Sequence, residues 1–166
     1  DGKRGYEILA DNTVEGLKHI DAVYDLAKEQ GDITDSSYEA LEKRWKDENA
    51  ERSEKVEKGE VIYGLKEYTF QLYLDYEIST LKEKYCNDTN REGMKLTEDE
   101  IQEHYQSREW IFGDSDENAD LEMARIAVER ELREQKYDDM ITQRETGSQV
   151  AGNMENVNRI TLKNIQ

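Results

Sequence analysis

The fold is decided by one stretch in the middle of the chain, LKEYTFQLYLDYEISTLKEKY at residues 65–85. At 100° per residue, its apolar side chains fall into two lines on opposite sides of a helix. One line holds Phe70, Leu74, Ile78, Leu81 and Tyr85, and the other holds Leu65, Tyr68, Leu72 and Tyr76. The pattern predicts either a central helix surrounded by others, or a helix with one buried face and a second face available to a ligand.

Further helices are predicted on both sides of this stretch. Capping sequences precede three of them: Asp11-Asn12-Thr13, a capping box at Ser36-Ser37-Tyr38-Glu39 and a second capping box at Thr97-Glu98-Asp99-Glu100. Gly31 and Gly59 follow the first two helices. The predicted helices cover about 13–30, 37–58, 65–86, 98–112 and 119–145. Near the end, residues 159–163 alternate like a short strand that could pair with residues 6–9.

The composition favours long helices and an elongated shape. The 166 residues include no proline, 35% are hydrophobic and 38% are charged. So few apolar side chains can join helices along narrow stripes but cannot fill a thick core. We therefore predict an all-α fold, an elongated array of helices in a single domain covering residues 1–166.

The net charge restricts the possible partners. At -17, the chain would repel nucleic acid phosphates and anionic lipid headgroups, which are bound mainly through lysine and arginine. No run of residues approaches a membrane span, and the start lacks the apolar core of a signal peptide. We expect neither nucleic acid nor membrane insertion, and we expect any signal segment or lipid anchor to have been removed.

No catalytic centre, metal site or cofactor is predicted. The sequence has one cysteine, Cys86, interpreted as a structural buried thiol, and no nucleotide-binding or nucleophile motif. Residues 114–125 place oxygen ligands at alternate positions, as a calcium loop does. Ala119 stands where such a loop needs glycine and Arg125 where it needs glutamate, which favours an acidic loop before a helix.

Three blocks of sequence resemble one family. The first runs from Glu48-Asn49-Ala50-Glu51-Arg52 to Val61-Ile62-Tyr63-Gly64, the second covers residues 96–105, and the third covers residues 128–137. Together they resemble the chaperone domain of SurA/PrsA-type, PpiC-like foldases and its relative in trigger factor. Leu65 departs from the pattern, since proline is expected after Tyr63-Gly64, and the strand and long first helix expected upstream are missing.

The resemblance implies an ATP-independent helical module that holds unfolded or extended polypeptide clients outside the cytoplasm, in a secreted or lipid-anchored protein. A parvulin prolyl isomerase domain needs about 100 residues and cannot fit within residues 106–120. The chain is therefore not expected to be an enzyme, unless a parvulin domain exists elsewhere in the full-length protein.

Aromatic side chains are the best candidates for a client-binding surface, because tyrosine and tryptophan bury large areas while keeping a polar group. Each could instead pack in the core. The predicted peptide-binding residues are Tyr63, Tyr68, Leu72, Tyr76, Tyr105 and Trp110. The alternative function is a structural or adaptor module that binds a fixed protein partner or a second copy of the chain, as a homodimer.

Overall fold

The computed structural model describes residues 5–113 and 117–147, and these residues form helices and connecting loops without a strand. The five helices are α1 (Gly5–Glu29), α2 (Tyr38–Glu57), α3 (Phe70–Asn87), α4 (Glu98–Gln106) and α5 (Leu121–Gly147). The all-α prediction is confirmed. Within the same residues, no helix combines the length and the apolar character needed to cross a bilayer.

The first helix begins earlier than predicted. It starts at Gly5 and runs through the capping residues at 11–13. Asp, Asn and Thr each cost only about 0.7 kcal/mol relative to alanine inside a helix, and no proline interrupts this segment. Residues 6–9 are helical, so the predicted strand pairing is wrong on this side, and residues 159–163 lie outside the described part of the chain.

Two other helix limits also differ from the prediction. Helix α3 begins at Phe70 instead of residue 65, and its first turn is capped by Thr69, whose hydroxyl accepts a hydrogen bond from the Leu72 amide. Helix α4 ends at Gln106 instead of residue 112, and its C-cap is Ser107, whose amide and hydroxyl both donate to the His104 carbonyl. The Trp110 amide donates to the side chain of Asn118, and its carbonyl accepts from the Ala119 amide at 2.8 Å.

The chain divides into two compact units. Among the described residues, unit 1 comprises 5–78 and 141–147, and unit 2 comprises 79–113 and 117–140. Helices α3 and α5 each contribute residues to both units.

The buried apolar residues of unit 1 come from four helices. Val23 and Tyr24 of α1, Leu41 of α2, Leu74 of α3 and Ile141 of α5 are all buried. In unit 2, a separate cluster consists of Ile101, Trp110, Ala124 and Val128.

A buried polar network lies within unit 1. Its centre is the carboxylate of Glu77 on α3, which is only 9% exposed. Arg44 of α2 donates to both of its oxygens, at 2.7 and 3.0 Å. The hydroxyls of Tyr24 on α1 and Tyr73 on α3 also donate to it, at 2.5 and 2.9 Å. The carboxylate thus joins three helices and is fully hydrogen-bonded, which a buried charge requires.

Candidate functional site

The connector between α2 and α3 is attached to α2 by hydrogen bonds to its backbone. The side chain of Asn49 accepts from the Tyr68 amide at 2.9 Å and donates to the Tyr68 carbonyl at 2.8 Å. The indole N–H of Trp45 donates to the same carbonyl at 2.7 Å. Because both polar backbone groups of Tyr68 are occupied by α2 side chains, the helical path cannot extend back through this residue.

Arg52, one turn further along α2, binds the connector at several points. Its guanidinium donates to the carbonyls of Tyr63 and Leu65, at 3.1 and 2.8 Å, and to the carboxylate of Glu48 at 2.7 Å. Its central carbon also lies 4.6 Å from the centre of the Tyr68 ring. The first sequence block that resembles the foldases is therefore a structural unit in which Asn49 and Arg52 fix residues 63–68.

This arrangement presents aromatic and aliphatic side chains to solvent. Tyr63 is 86% exposed, and Leu65, Leu72 and Tyr76 are also exposed. The ring of Tyr68 stacks on that of Tyr76, with centroids 5.2 Å apart and planes inclined by 18°. We call these five residues the aromatic surface.

The burial of the two apolar lines distinguishes between the two arrangements predicted for residues 65–85. Leu74, Leu81 and Tyr85 on one line are buried and Ile78 is half-buried, whereas Leu65, Leu72 and Tyr76 on the opposite line are exposed. Helix α3 therefore has one buried face and one face open to solvent. Of the predicted peptide-binding residues, Leu72 and Tyr76 lie on this open face, and Tyr63 and Tyr68 lie in the connector before α3.

A shallow polar groove adjoins the aromatic surface at Tyr63. It has a volume of about 260 Å³ and lies between α2 and the connector. Its walls combine the apolar side chains of Val61 and Ile62 with the charged side chains of Lys55 and Glu60. A polypeptide lying along Tyr63 would meet charged groups beside apolar ones.

The other two predicted binding residues belong to unit 2 and pack inside it. Trp110 is 3% exposed and packs with Ile101, Ala124 and Val128. Its indole N–H donates to the Tyr105 carbonyl at 3.0 Å, and the Tyr105 hydroxyl donates to the Ala119 carbonyl at 2.8 Å. Both residues hold α4 and the following loop against α5, and a client would reach the indole only after this core opened.

The titratable groups show no arrangement for catalysis in the described part of the chain. Cys86 is buried, as predicted, and burial raises the pKa of its thiol to about 11, which keeps it protonated. His19 and His104 each lie beside a glutamate of α5, at 2.6 Å from Glu145 and 3.3 Å from Glu131. Neither histidine is paired with a nucleophile.

No group of metal-binding side chains is found among the described residues. The calcium-like loop lies partly outside them, at residues 114–116. Two of its described side chains with oxygen ligands have structural roles: Asn118 accepts from the Trp110 amide, and Asp120 accepts from the Met123 amide at 2.9 Å. These two contacts close the loop onto the start of α5.

Sequence reasoning missed one exposed apolar area. Met123 and Ile126 of α5 are 71% and 85% exposed, and Ile111 and Phe112 of the preceding loop are exposed as well. The prediction of α5 was based on the apolar stripe that includes Ala124 and Val128. It did not include the side chains on the opposite face of the helix. Their spacing of three residues was the available signal.

This all-helical chain with an exposed aromatic surface is similar in sequence to a protein whose name describes a function. A protein of Bifidobacterium longum subsp. longum named "Chaperone for lacto-N-biosidase" is 29% identical over 144 residues, which is 87% of this chain and 51% of that protein. The chain thus spans about half the length of this relative. The similarity suggests a chaperone role.

Two further comparisons give no match. No protein-family model matches the chain, and no solved structure matches it. The suggested chaperone role therefore depends on the similarity to this relative and on the structure described above.

Proposed function

We propose that the chain is an ATP-independent, peptide-binding chaperone module of the SurA/PrsA type, which holds unfolded or newly exported polypeptides. Three features support the proposal: the relative named as a chaperone, the all-helical fold, and the exposed aromatic surface. The sequence contains no glycine-rich phosphate loop, so the proposed mechanism requires no nucleotide.

The observation that carries the proposal is the fixed exposure of the aromatic surface. Exposed tyrosine and leucine side chains are costly in water. Arg52 and Asn49 fix the connector that carries Tyr63, Leu65 and Tyr68, and helix α3 carries Leu72 and Tyr76. A surface ordered before binding loses little conformational entropy when a client docks. It therefore suits the binding of extended apolar segments.

The proposed binding is weak and tolerant of sequence. Tyrosine offers a rigid apolar ring and a hydroxyl that can meet a client backbone, so many segments fit the same surface. The charge of -17 repels a second copy of the chain and so limits self-association through exposed apolar groups.

The nature of the client is also part of the proposal. The name of the relative gives it one enzyme to assist, lacto-N-biosidase. By extension, we propose that this chain assists an enzyme of that kind and that it works outside the cytoplasm, secreted or lipid-anchored. The resemblance to SurA/PrsA foldases supports the same location.

The alternative is an adaptor module that binds one folded partner. The name of the relative contains a single enzyme, which fits a module with one fixed partner. The two differ in the state of the partner: a chaperone binds the denatured enzyme, and an adaptor binds the folded enzyme at one-to-one stoichiometry. Isothermal titration with folded and with denatured lacto-N-biosidase separates them.

The test of chaperone activity is the aggregation of a denatured enzyme, followed by light scattering. The wild-type chain is expected to suppress scattering without nucleotide, and the triple variant Y63S/L72S/Y76S is expected to lose most of this effect. A matched control, L17S/Y38S, removes exposed apolar groups elsewhere in unit 1 and should suppress scattering like the wild type. Equal suppression by all three proteins would exclude the aromatic surface as the binding site.

A further inference from the structure

A second apolar area of the molecule lies in unit 2, on the first turns of α5. Met123 and Ile126 project from neighbouring positions of the helix, three residues apart. With Phe112, Ala127 and Arg130 they line a shallow depression of about 360 Å³. Its lining is mostly apolar although it faces solvent.

This depression continues into a second one, of about 290 Å³, which shares Phe112, Ala127 and Arg130 with it. The second depression extends past Ile111 to the charged side chain of Glu109. Together they form one groove along α5, apolar at one end and charged at the other. We call it the α5 groove.

The charges along the α5 groove are not balanced. Arg108 and Arg130, which line it, each form an ion pair with a glutamate of α5. By contrast, Glu109 in the groove and Glu122, one turn before Ile126, have no ion-pair or hydrogen-bond partner among the described residues. The groove therefore attracts a partner that brings its own positive charge.

The charge of the groove argues against a second copy as the occupant. A second copy would bring the same uncompensated acidic groups, Glu109 and Glu122, to the contact. A short segment with a few apolar side chains fits this area, and methionine adapts to different side-chain shapes.

From these observations we infer that the α5 groove is a second client-binding site, which takes a short apolar segment carrying lysine or arginine. This inference rests on the proposed chaperone function and adds a site in unit 2 to the aromatic surface of unit 1. A client chain with two apolar segments can then be held at two points, and the second contact gains from the high effective concentration created by the first.

The test uses the full chain and a synthetic, fluorescein-labelled peptide of about eight residues that contains leucine, methionine and two lysines. A matched peptide replaces both lysines with glutamate. Fluorescence anisotropy measures the affinity of each peptide for the wild type, for M123S/I126S and for E109Q/E122Q. Because the four substituted side chains are exposed, the variants should keep the wild-type far-ultraviolet circular dichroism and melting temperature.

The inference predicts that M123S/I126S weakens binding of the lysine peptide roughly tenfold, because two apolar contacts are lost. It predicts that E109Q/E122Q weakens the lysine peptide but not the glutamate peptide, and that added salt has the same selective effect. Unchanged binding of both peptides by M123S/I126S would overturn it.

Comparison with the unit 1 variant Y63S/L72S/Y76S separates this inference from the proposed function. If only the unit 1 variant loses peptide binding, the α5 groove is not a client site and the proposed function stands. If only M123S/I126S loses it, the inference holds and the aromatic surface is excluded. If sedimentation velocity shows a wild-type dimer that M123S/I126S dissociates, the groove is a self-association surface and the inference fails.

Discussion

Arg52 of α2 lies over the ring of Tyr68, with its guanidinium carbon 4.6 Å from the ring centre. Its N–H groups also donate to the carbonyls of Tyr63 and Leu65 in the connector before α3. This contact makes the connector rigid where the aromatic surface is formed. A planar guanidinium can stack on a ring and donate to several acceptors at once, which an ammonium group cannot do equally well.

Substituting Arg52 with lysine is therefore expected to loosen the connector. We predict that R52K lowers the free energy of unfolding by about 1–2 kcal/mol, through the lost stacking and one lost hydrogen bond. It should weaken client binding more than its stability loss explains, because the surface is no longer held in place. Urea denaturation and peptide anisotropy measure the two effects. R130K, a change of the same chemistry at a more exposed arginine, is the control for stability.

The buried carboxylate of Glu77 is predicted to be critical for the stability of unit 1. In E77Q the charge of Arg44 would remain partly buried without its counter-ion, which costs about 3–5 kcal/mol. The exposed pair of Lys43 and Asp47 provides the control, since D47N should leave the urea midpoint almost unchanged. Equal midpoints for E77Q and D47N would show that the network contributes little.

Alkaline pH should destabilise the same network. Burial, together with hydrogen bonds to Glu77, raises the pKa of Tyr24 and of Tyr73 well above the ordinary value of 10. The folded chain then holds phenolic protons that the unfolded chain has released, so stability falls as the pH rises above 10. Urea midpoints between pH 8 and 11 should decrease. Y24F should be less stable at pH 8 but show a shallower decrease; a flat profile for the wild type would contradict this account.

Cys86 is predicted to react slowly with thiol reagents in the native protein. Burial raises its pKa from 9.0 to about 11, which reduces the thiolate fraction at pH 8 by roughly a hundredfold. Labelling with a disulfide reagent should be slow in buffer and rapid in concentrated urea, and C86S should give no signal. Rapid labelling in buffer would place the thiol at the surface.

The sequence was sufficient to predict those parts of the fold that depend on local chemistry. The start of α4 illustrates this, since Thr97 and Glu100 form the complete predicted capping box. At α2 the cap lies one residue after the predicted one, at Ser37, whose side chain accepts from the Ala40 amide. Capping involves residues three positions apart, so it can be recognised without knowing the fold. The start of α3 was missed because it depends on Asn49, which lies 19 residues before Tyr68.

The candidate site could be predicted only in part, because core packing and ligand binding use the same aromatic residues. Tyr63 and Tyr76 are exposed, whereas Trp110 is buried. All three are aromatic residues, and only the tertiary structure shows which of them face the solvent. The network around Glu77 was also missed. Its members come from three helices, and no spacing in the sequence brings Tyr24, Arg44 and Glu77 together.

Site-specific photo-crosslinking tests the central claim most directly. A benzophenone amino acid placed at Tyr63 or Leu72 of the full chain reports whether a denatured client enzyme touches the aromatic surface, and the same group at the exposed Tyr38 is the control. The account predicts strong crosslinks from Tyr63 and Leu72 and weak ones from Tyr38. Crosslinks of equal yield at all three positions, or none at Tyr63 and Leu72, would contradict it.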